Sequence, residues 1–151
     1  ADIGMARSLT GIIGSFLGGV IASAVGRKKT YFLTSILCLL CAEFVYMFHT
    51  PEQWQFLAGF AALGFFSGIF FGWLPLFLPE LFVTRIRSTG AGVCFNFGRI
   101  ITAVTVFAGA ILIQEFDEDY ALLGKIMSLI YLLGAIGILL LPSGVGGEIE
   151  D

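Results

Sequence analysis

Arg99 stands within a long apolar stretch, and it is the side chain best suited to bind a charged group. It follows Ser88 by roughly 17 Å of helix at 1.5 Å per residue, which is near the middle of a lipid bilayer. A charge at that depth is costly and faces a cavity or a partner. We therefore expect Arg99 to bind an anionic group, with Asn96 one turn earlier on the same face. The alternative is a structural ion pair with a carboxylate elsewhere in the protein.

Glu43 is the only carboxylate deep within its own apolar stretch, about 9 Å from the end of that stretch. Burial favours the protonated form of a carboxyl group, so Glu43 is a candidate proton carrier. The alternative is a carboxyl that reaches toward the helix end or simply stays protonated, with no role in coupling.

Aromatic residues of a third stretch are candidates to line a cavity. Phe65 and Phe66 fall near its middle, where they would face either a substrate or other apolar side chains. Trp73 falls near one end, and tryptophans are enriched at the membrane surface. We expect Trp73 at that surface.

Charged residues also gather in two short polar segments, and the set consists of Arg27, Lys28, Glu80, Arg85 and Arg87. One interpretation is an ionic lock between the two segments, whose opening would shift a conformational balance. The other is that the cations only set membrane orientation. We expect an ion pair that includes Glu80, because acidic residues are rare in these two polar segments.

Glycines recur every four residues at Gly14 and Gly18, and again at Gly64, Gly68 and Gly72. Small residues at this spacing let membrane helices pack with their backbones close together. The pattern predicts helix packing rather than chemistry.

Several kinds of function are excluded. Cys38 and Cys41 lie inside an apolar stretch and lack the further ligands that a metal site needs, so we expect no metal and no cofactor. No nucleophile elbow, phosphate loop or zinc-protease motif occurs, which predicts that the protein is not an enzyme. The net charge of -3 argues against nucleic acid as a partner.

These residues must be positioned by membrane helices. Of the 151 residues, 58% are hydrophobic and only 13% are charged, which is too apolar for a small soluble domain. A helix needs about 20 apolar residues to cross the bilayer, and unpaired backbone groups are not tolerated there. The sequence predicts an all-α integral membrane protein with five transmembrane helices, over residues 8–25, 30–48, 55–78, 88–113 and 120–141.

The distribution of basic residues predicts the orientation. Lys and Arg concentrate in the first and third connections, which we therefore place in the cytoplasm. The carboxyl terminus then lies inside, with residues 142–151 as an acidic cytoplasmic tail. The chain begins at Ala1 without Met or a signal-peptide pattern, so we expect a piece of a longer chain.

The first connection resembles a known signature. Residues 19–29 read GVIASAVGRKK, which is similar to the loop Gly-x-Leu-Ala-Asp-Arg-x-Gly-Arg-Arg/Lys of the major facilitator superfamily. Gly19, Gly26, Arg27 and Lys28 match, whereas Ser23 replaces the acidic residue. The loss of the acid resembles the second, weaker copy of this loop, between the eighth and ninth helices of that family.

The third connection strengthens the resemblance. Residues 79–90 read PELFVTRIRSTG, similar to the Glu-x-Phe-Pro-x-x-x-Arg segment of sugar-porter-like and organic-ion members, with Val83 in place of Pro. Residues 90–100 read GAGVCFNFGRI and resemble the eleventh helix of that branch, in which an arginine binds organic anions.

The resemblance implies a fold and a function. The five helices correspond to the eighth to twelfth of twelve, so the amino-terminal half of the same carrier is an expected partner. The implied function is alternating-access transport of a small organic anion or sugar across the plasma (inner) membrane, coupled to protons. A non-transporting receptor on the same fold and an inactive fragment remain the alternatives.

Overall fold

The computed structural model describes residues 2–48, 54–115 and 119–140, and every element in these ranges is helical. The elements are α1 (Asp2–Val25), α2 (Arg27–Phe48), α3 (Trp54–Glu80), a 3₁₀ turn (Thr84–Ile86), α4 (Arg87–Glu115), α5 (Tyr120–Ser128) and α6 (Ile130–Leu140). Within these ranges five stretches are long and apolar enough to cross a membrane, with α5 and α6 together forming the fifth. The prediction of five transmembrane helices is confirmed.

The first four helices extend beyond their predicted bounds, and the extensions of α1 and α3 bear on the site. α1 begins at Asp2 rather than at residue 8, so Arg7 lies inside the helix. α3 continues through Pro75 and Pro79 as far as Glu80, because a proline removes one backbone hydrogen bond and its neighbours keep the helix continuous. Residues 49–53, 116–118 and 141–151, including the expected acidic tail, lie outside the described residues.

α1 and α3 lie side by side with their backbones in contact. A methyl group at Gly14 would overlap the carbonyl oxygen of Phe65, and one at Gly18 would lie 2.6 Å from the carbonyl oxygen of Ile69. On α1, therefore, only glycine fits at these two positions without moving α3.

The glycines of α3 make the reciprocal contacts. Each faces backbone atoms of α1, in the order Gly64 against Arg7, Gly68 against Gly11 and Gly72 against Ser15. The Ser15 hydroxyl also donates a 3.0 Å hydrogen bond to the carbonyl oxygen of Gly68. Because the contacts advance in the same direction along both helices, α1 and α3 run parallel.

A buried aromatic cluster continues this interface. It consists of Ala22 of α1, Ile69, Trp73 and Phe77 of α3, and Ile138 of α6. The expected place of Trp73 at the membrane surface is wrong, because its side chain is only 2% exposed. The ring centroids of Trp73 and Phe77 lie 4.9 Å apart. Tyr31 of α2 packs edge-on to the indole, with 6.1 Å between the ring centroids.

α4 is the least enclosed of the membrane helices. Among the described residues, none in the most apolar part of its span is buried, whereas a third of those in the most apolar part of α3 are. Large side chains such as Val93, Phe97 and Val104 are more than 60% exposed. α4 therefore leaves most of its apolar surface for lipid or for other segments of the protein.

The fifth span keeps helical backbone angles throughout, with a local change of hydrogen bonding at Leu129. The Asp119 side chain caps α5 by accepting 3.0 Å hydrogen bonds from the amides of Ala121 and Leu122. α5 ends at Ser128, and α6 starts at Ile130. Between them the Leu129 amide donates to the Ile126 carbonyl oxygen at 3.3 Å, a bond to the third residue before it, which tightens the helix at this point.

The contact between α1 and α3 leads to a stability prediction. We expect Gly18→Ala to lower the free energy of unfolding by about 1–3 kcal/mol, because the added methyl group meets backbone that cannot yield. Gly19→Ala is the matched control, since a methyl group there has nothing within 4 Å. Unfolding of both variants by SDS in bicelles measures the difference, and equal stabilities would contradict the close backbone contact.

Candidate functional site

A one-residue turn at Gly26 sets the geometry of the first connection. Gly26 has a φ of 96°, in the left-handed region that favours glycine. Its amide donates to the Ala22 carbonyl oxygen at 3.1 Å, and its own carbonyl accepts from Thr30 at 2.9 Å. α1 therefore ends and α2 begins within one residue, and Arg27 and Lys28 open α2 directly after the turn.

Arg27 and Glu80 form an ion pair between the start of α2 and the end of α3. Their side chains are 39% and 21% exposed, so solvent partly screens the pair. The pair joins two helices that also pack on each other through Tyr31, Phe70 and Trp73, and it lies at the end opposite to the connection between them. It is therefore a contact that can hold this end of the helices together or release it.

The other cations of the expected set behave differently. Arg87 stays within its own connection, where Nε donates to the Phe82 carbonyl oxygen and Nη2 to the Thr84 hydroxyl, both at 3.4 Å. Arg85 is exposed, and no ion pair with another described residue is present. The structure therefore brings Arg27 and Glu80 together, while Arg87 braces the turn before α4.

Arg99 lines a cavity of about 880 Å³ between α2, α3, α4 and α6. Its guanidinium carbon lies 5.6 Å from the centre of the Phe95 ring, which is a cation–π distance. This contact uses the face of the guanidinium group and leaves its N–H donors available for an anion. The facing wall carries mainly apolar and aromatic side chains, including Tyr31 and Phe71, with Thr102 as a further hydroxyl. A single cation in an otherwise apolar cavity suits a small organic anion.

Other residues expected at this site lie elsewhere. The Asn96 side-chain amide donates to the Gly92 carbonyl oxygen at 2.8 Å, and Asn96 is not among the residues that line the Arg99 cavity. Phe65 and Phe66 stack edge-on with ring centroids 5.5 Å apart and pack against the buried cluster of Trp73. They too are absent from the lining of this cavity.

Arg7 is a candidate that the sequence prediction missed, because the predicted first helix began one residue after it. It lines a second cavity, of about 700 Å³, in the groove between α1 and α3. Ser8, Ser15 and Ser67 supply hydroxyls there, and Phe71 borders both this cavity and that of Arg99. The sequence carries a signal for this longer helix. Ile3 and Met5 precede Arg7, and these two apolar residues extend the first apolar stretch toward the amino terminus.

Glu43 makes a polar contact that no spacing in the sequence indicates. Its Oε1 lies 2.5 Å from the Ser128 hydroxyl of α5, 85 residues away in the chain. Among the described residues, no group of three His, Cys, Asp or Glu side chains is close enough to hold a metal ion. The cysteines Cys38, Cys41 and Cys94 are all free thiols.

Comparison with known proteins gives the family. Residues 5–144 match the family described as "Sugar (and other) transporter". The chain is 31% identical over 147 residues to the "Probable 4-methylmuconolactone transporter" of Cupriavidus pinatubonensis, a match that covers 91% of this chain and 33% of that protein.

Two further relatives have related names. The "Cis,cis-muconate transport protein" of Acinetobacter baylyi is 30% identical, over 62% of this chain and 22% of its own length. The human "Solute carrier family 2, facilitated glucose transporter member 4" is 28% identical, over 54% and 16%. No solved structure matches.

The chain spans at most about one third of the length of these relatives. Its basic first connection, its Glu80 segment and its five membrane helices, apart from the first three residues of α1, lie within the matched residues. The chain belongs to the sugar (and other) transporter family, within the sugar-porter-like part of the major facilitator superfamily.

Proposed function

We propose that the complete protein transports a small organic anion across the membrane by alternating access, and that this chain supplies part of the substrate cavity. The observation that carries the proposal is Arg99, an exposed cation that lines an open cavity of about 880 Å³ bordered by four helices. A cation within a membrane helix is kept where it has a function. The names of the muconate and methylmuconolactone relatives are consistent with an anionic or acid-derived solute.

A sugar is the second candidate substrate, because one relative is a glucose transporter. Recognition of a sugar needs several neutral donors and acceptors placed around its hydroxyl groups. In the Arg99 cavity the neutral side-chain hydroxyls are those of Tyr31 and Thr102, and most of the lining is apolar. The single cation in this lining therefore favours an anion over a sugar.

The ion pair between Arg27 and Glu80 supplies the conformational part of the mechanism. We place it at the cytoplasmic side of the plasma membrane, with the carboxyl terminus on the same side, because basic connections face the cytoplasm. There it holds the ends of α2 and α3 together and favours the state that is closed to the cytoplasm. Breaking it shifts the balance toward the open state by the energy of the pair.

Two other functions compete with this proposal. A receptor-like protein on the same fold would bind a solute at Arg99 without moving it. An inactive fragment would do neither, since this chain spans about one third of the length of the 4-methylmuconolactone relative. Flux measured with the complete protein separates transport from both.

Substitution of Arg99 tests the substrate class. We expect Arg99→Ala to raise the KM for uptake of labelled cis,cis-muconate by about 10- to 100-fold, since a hydrogen bond to a charged group contributes about 1.5–3 kcal/mol. Arg99→Lys should give an intermediate value, because lysine keeps the charge but loses the planar fork.

The control for this test is Thr105→Ala, also on α4, whose hydroxyl bonds its own helix at Ile101. Uptake of labelled glucose is measured in parallel in proteoliposomes. Unchanged muconate affinity in Arg99→Ala would rule out the binding role, and glucose uptake without muconate uptake would rule out the anion. Binding of muconate without any flux would favour the receptor.

Substitution of the ion pair tests the gate. Cys94 lines the Arg99 cavity about 10 Å beyond the start of α4, so its thiol reports access from the cytoplasmic side. In a protein that keeps Cys94 as its only cysteine, Arg27→Gln and Glu80→Gln should each speed labelling by a maleimide about 2- to 5-fold. That range corresponds to the upper part of the energy of an exposed ion pair.

The double exchange Arg27→Glu with Glu80→Arg is the internal control, because it restores an ion pair with reversed sign. It should return the labelling rate toward that of the parent protein. A rate that stays unchanged in both single variants would show that the pair does not hold the cytoplasmic side closed.

A further inference from the structure

Another groove, of about 480 Å³, lies between the start of α2 and the end of α6. Its lining consists of two neighbouring lysines and four apolar residues, namely Lys28, Lys29, Phe32, Leu33, Ile138 and Leu139. Ile138 also borders the cavity of Arg99, whereas Arg99 itself does not line this groove. The groove therefore has a charged part and an apolar part, and no function described above uses either of them.

The two parts lie at different depths in the membrane. The second apolar span starts, and the fifth one ends, at this level of the molecule, so Lys28 and Lys29 stand at the membrane surface. Phe32 and Leu33 each follow one of the lysines by four residues, which places them about 6 Å further along α2 and on the same face of the helix. They therefore lie within the apolar layer, directly below the lysines.

The apolar part has a closed floor and an open rim. Ile138 is 5% exposed and belongs to the buried cluster of Trp73, against which Phe32 also packs. Leu33 and Leu139 form the rim and are 50% and 63% exposed. The lining is almost entirely apolar, so the lysines contribute their methylene stems to it. A hydrocarbon chain suits this part, because its side chains are hydrocarbon only.

The charged part attracts an anion. Arg27, Lys28 and Lys29 follow one another in the first turn of α2, the end of a helix at which positive charge is least favourable, and no acidic residue lies in that turn. Among the described residues Glu80 is the acid at this end of the spans, and it is paired with Arg27. The start of α2 therefore carries an excess of positive charge beside the groove.

We propose that this groove binds an anionic phospholipid, with the phosphate at Lys28 and Lys29 and one acyl chain along Phe32, Leu33 and Leu139. A free anion would leave the apolar part unfilled, and a zwitterionic lipid would bring a cation of its own to the lysines. On the orientation proposed above the groove faces the cytoplasmic leaflet, where anionic lipids give the surface a negative potential. The binding itself does not depend on which solute the protein transports.

A lipid titration tests the charged part. The complete protein is purified in dodecyl maltoside, and native mass spectrometry measures bound lipid as dioleoyl phosphatidylglycerol is added. We expect Lys28→Gln combined with Lys29→Gln to weaken binding by about 10- to 30-fold, because each lysine near the membrane surface contributes about 5-fold. Arg85→Gln is the matched control, since it removes an exposed cation outside the groove, and it should leave the affinity unchanged.

A second pair of variants tests the apolar part. Leu33→Trp narrows the groove and keeps both lysines, so it should weaken binding of phosphatidylglycerol by about 4- to 15-fold, which corresponds to one or two methylene groups left unburied. Leu40→Trp is the control, because Leu40 is also exposed on α2 but does not line the groove. It should bind the lipid as the parent protein does.

Several results would overturn the proposal. Equal binding of dioleoyl phosphatidylcholine would show that the site does not select an anionic headgroup, and an unchanged affinity in the double lysine variant would show that the lysines do not hold it. Displacement of the lipid by glycerol phosphate at a similar concentration would identify a site for free anions. Lipid binding that appears only after Glu148→Gln with Glu150→Gln would assign the lysines to the acidic end of the chain.

Discussion

The backbone contact between α1 and α3 is the constraint on which the rest of the arrangement depends. In lipid, helices gain little from burying apolar side chains against one another, so they associate through close packing. Gly14 and Gly18 bring α1 against the carbonyl oxygens of α3, and that approach fixes where α1 ends. Because Gly26 turns the chain within one residue, the start of α2 is fixed in the same way, and Arg27 meets Glu80.

The same contact shapes both cavities. The groove that contains Arg7 runs between α1 and α3, while the cavity of Arg99 lies on another side of α3. Phe71, whose side chain is 71% exposed, borders both. A movement of α3 relative to α1 would therefore change both cavities at once. Among the described residues, none in the most apolar part of α4 is buried, so α4 is the least covered wall of the Arg99 cavity.

Features that depend on local pattern could be predicted from the sequence, and those that depend on distant partners could not. The five helices follow from length and apolarity, and the glycine spacing points to helix contacts. Arg7 was missed because its charge and that of Asp2 interrupt the apolar pattern at the start of α1. Asn96 shares a helix face with Arg99 by spacing, yet its amide is satisfied by the Gly92 carbonyl oxygen of its own helix. The change of backbone hydrogen bonding at Leu129 carries no Pro or Gly signal, and the contact beside it comes from Glu43, far away in the chain.

The single-residue turn at Gly26 has a mechanical consequence. Two helices joined by a long loop can tilt separately, but α1 and α2 share a joint in which the Gly26 amide and carbonyl are each bonded to one of the two helices. The end of α1 and the start of α2 are therefore tied together at this joint. A displacement of Arg27 where it meets Glu80 is passed directly to the end of α1, which packs on α3.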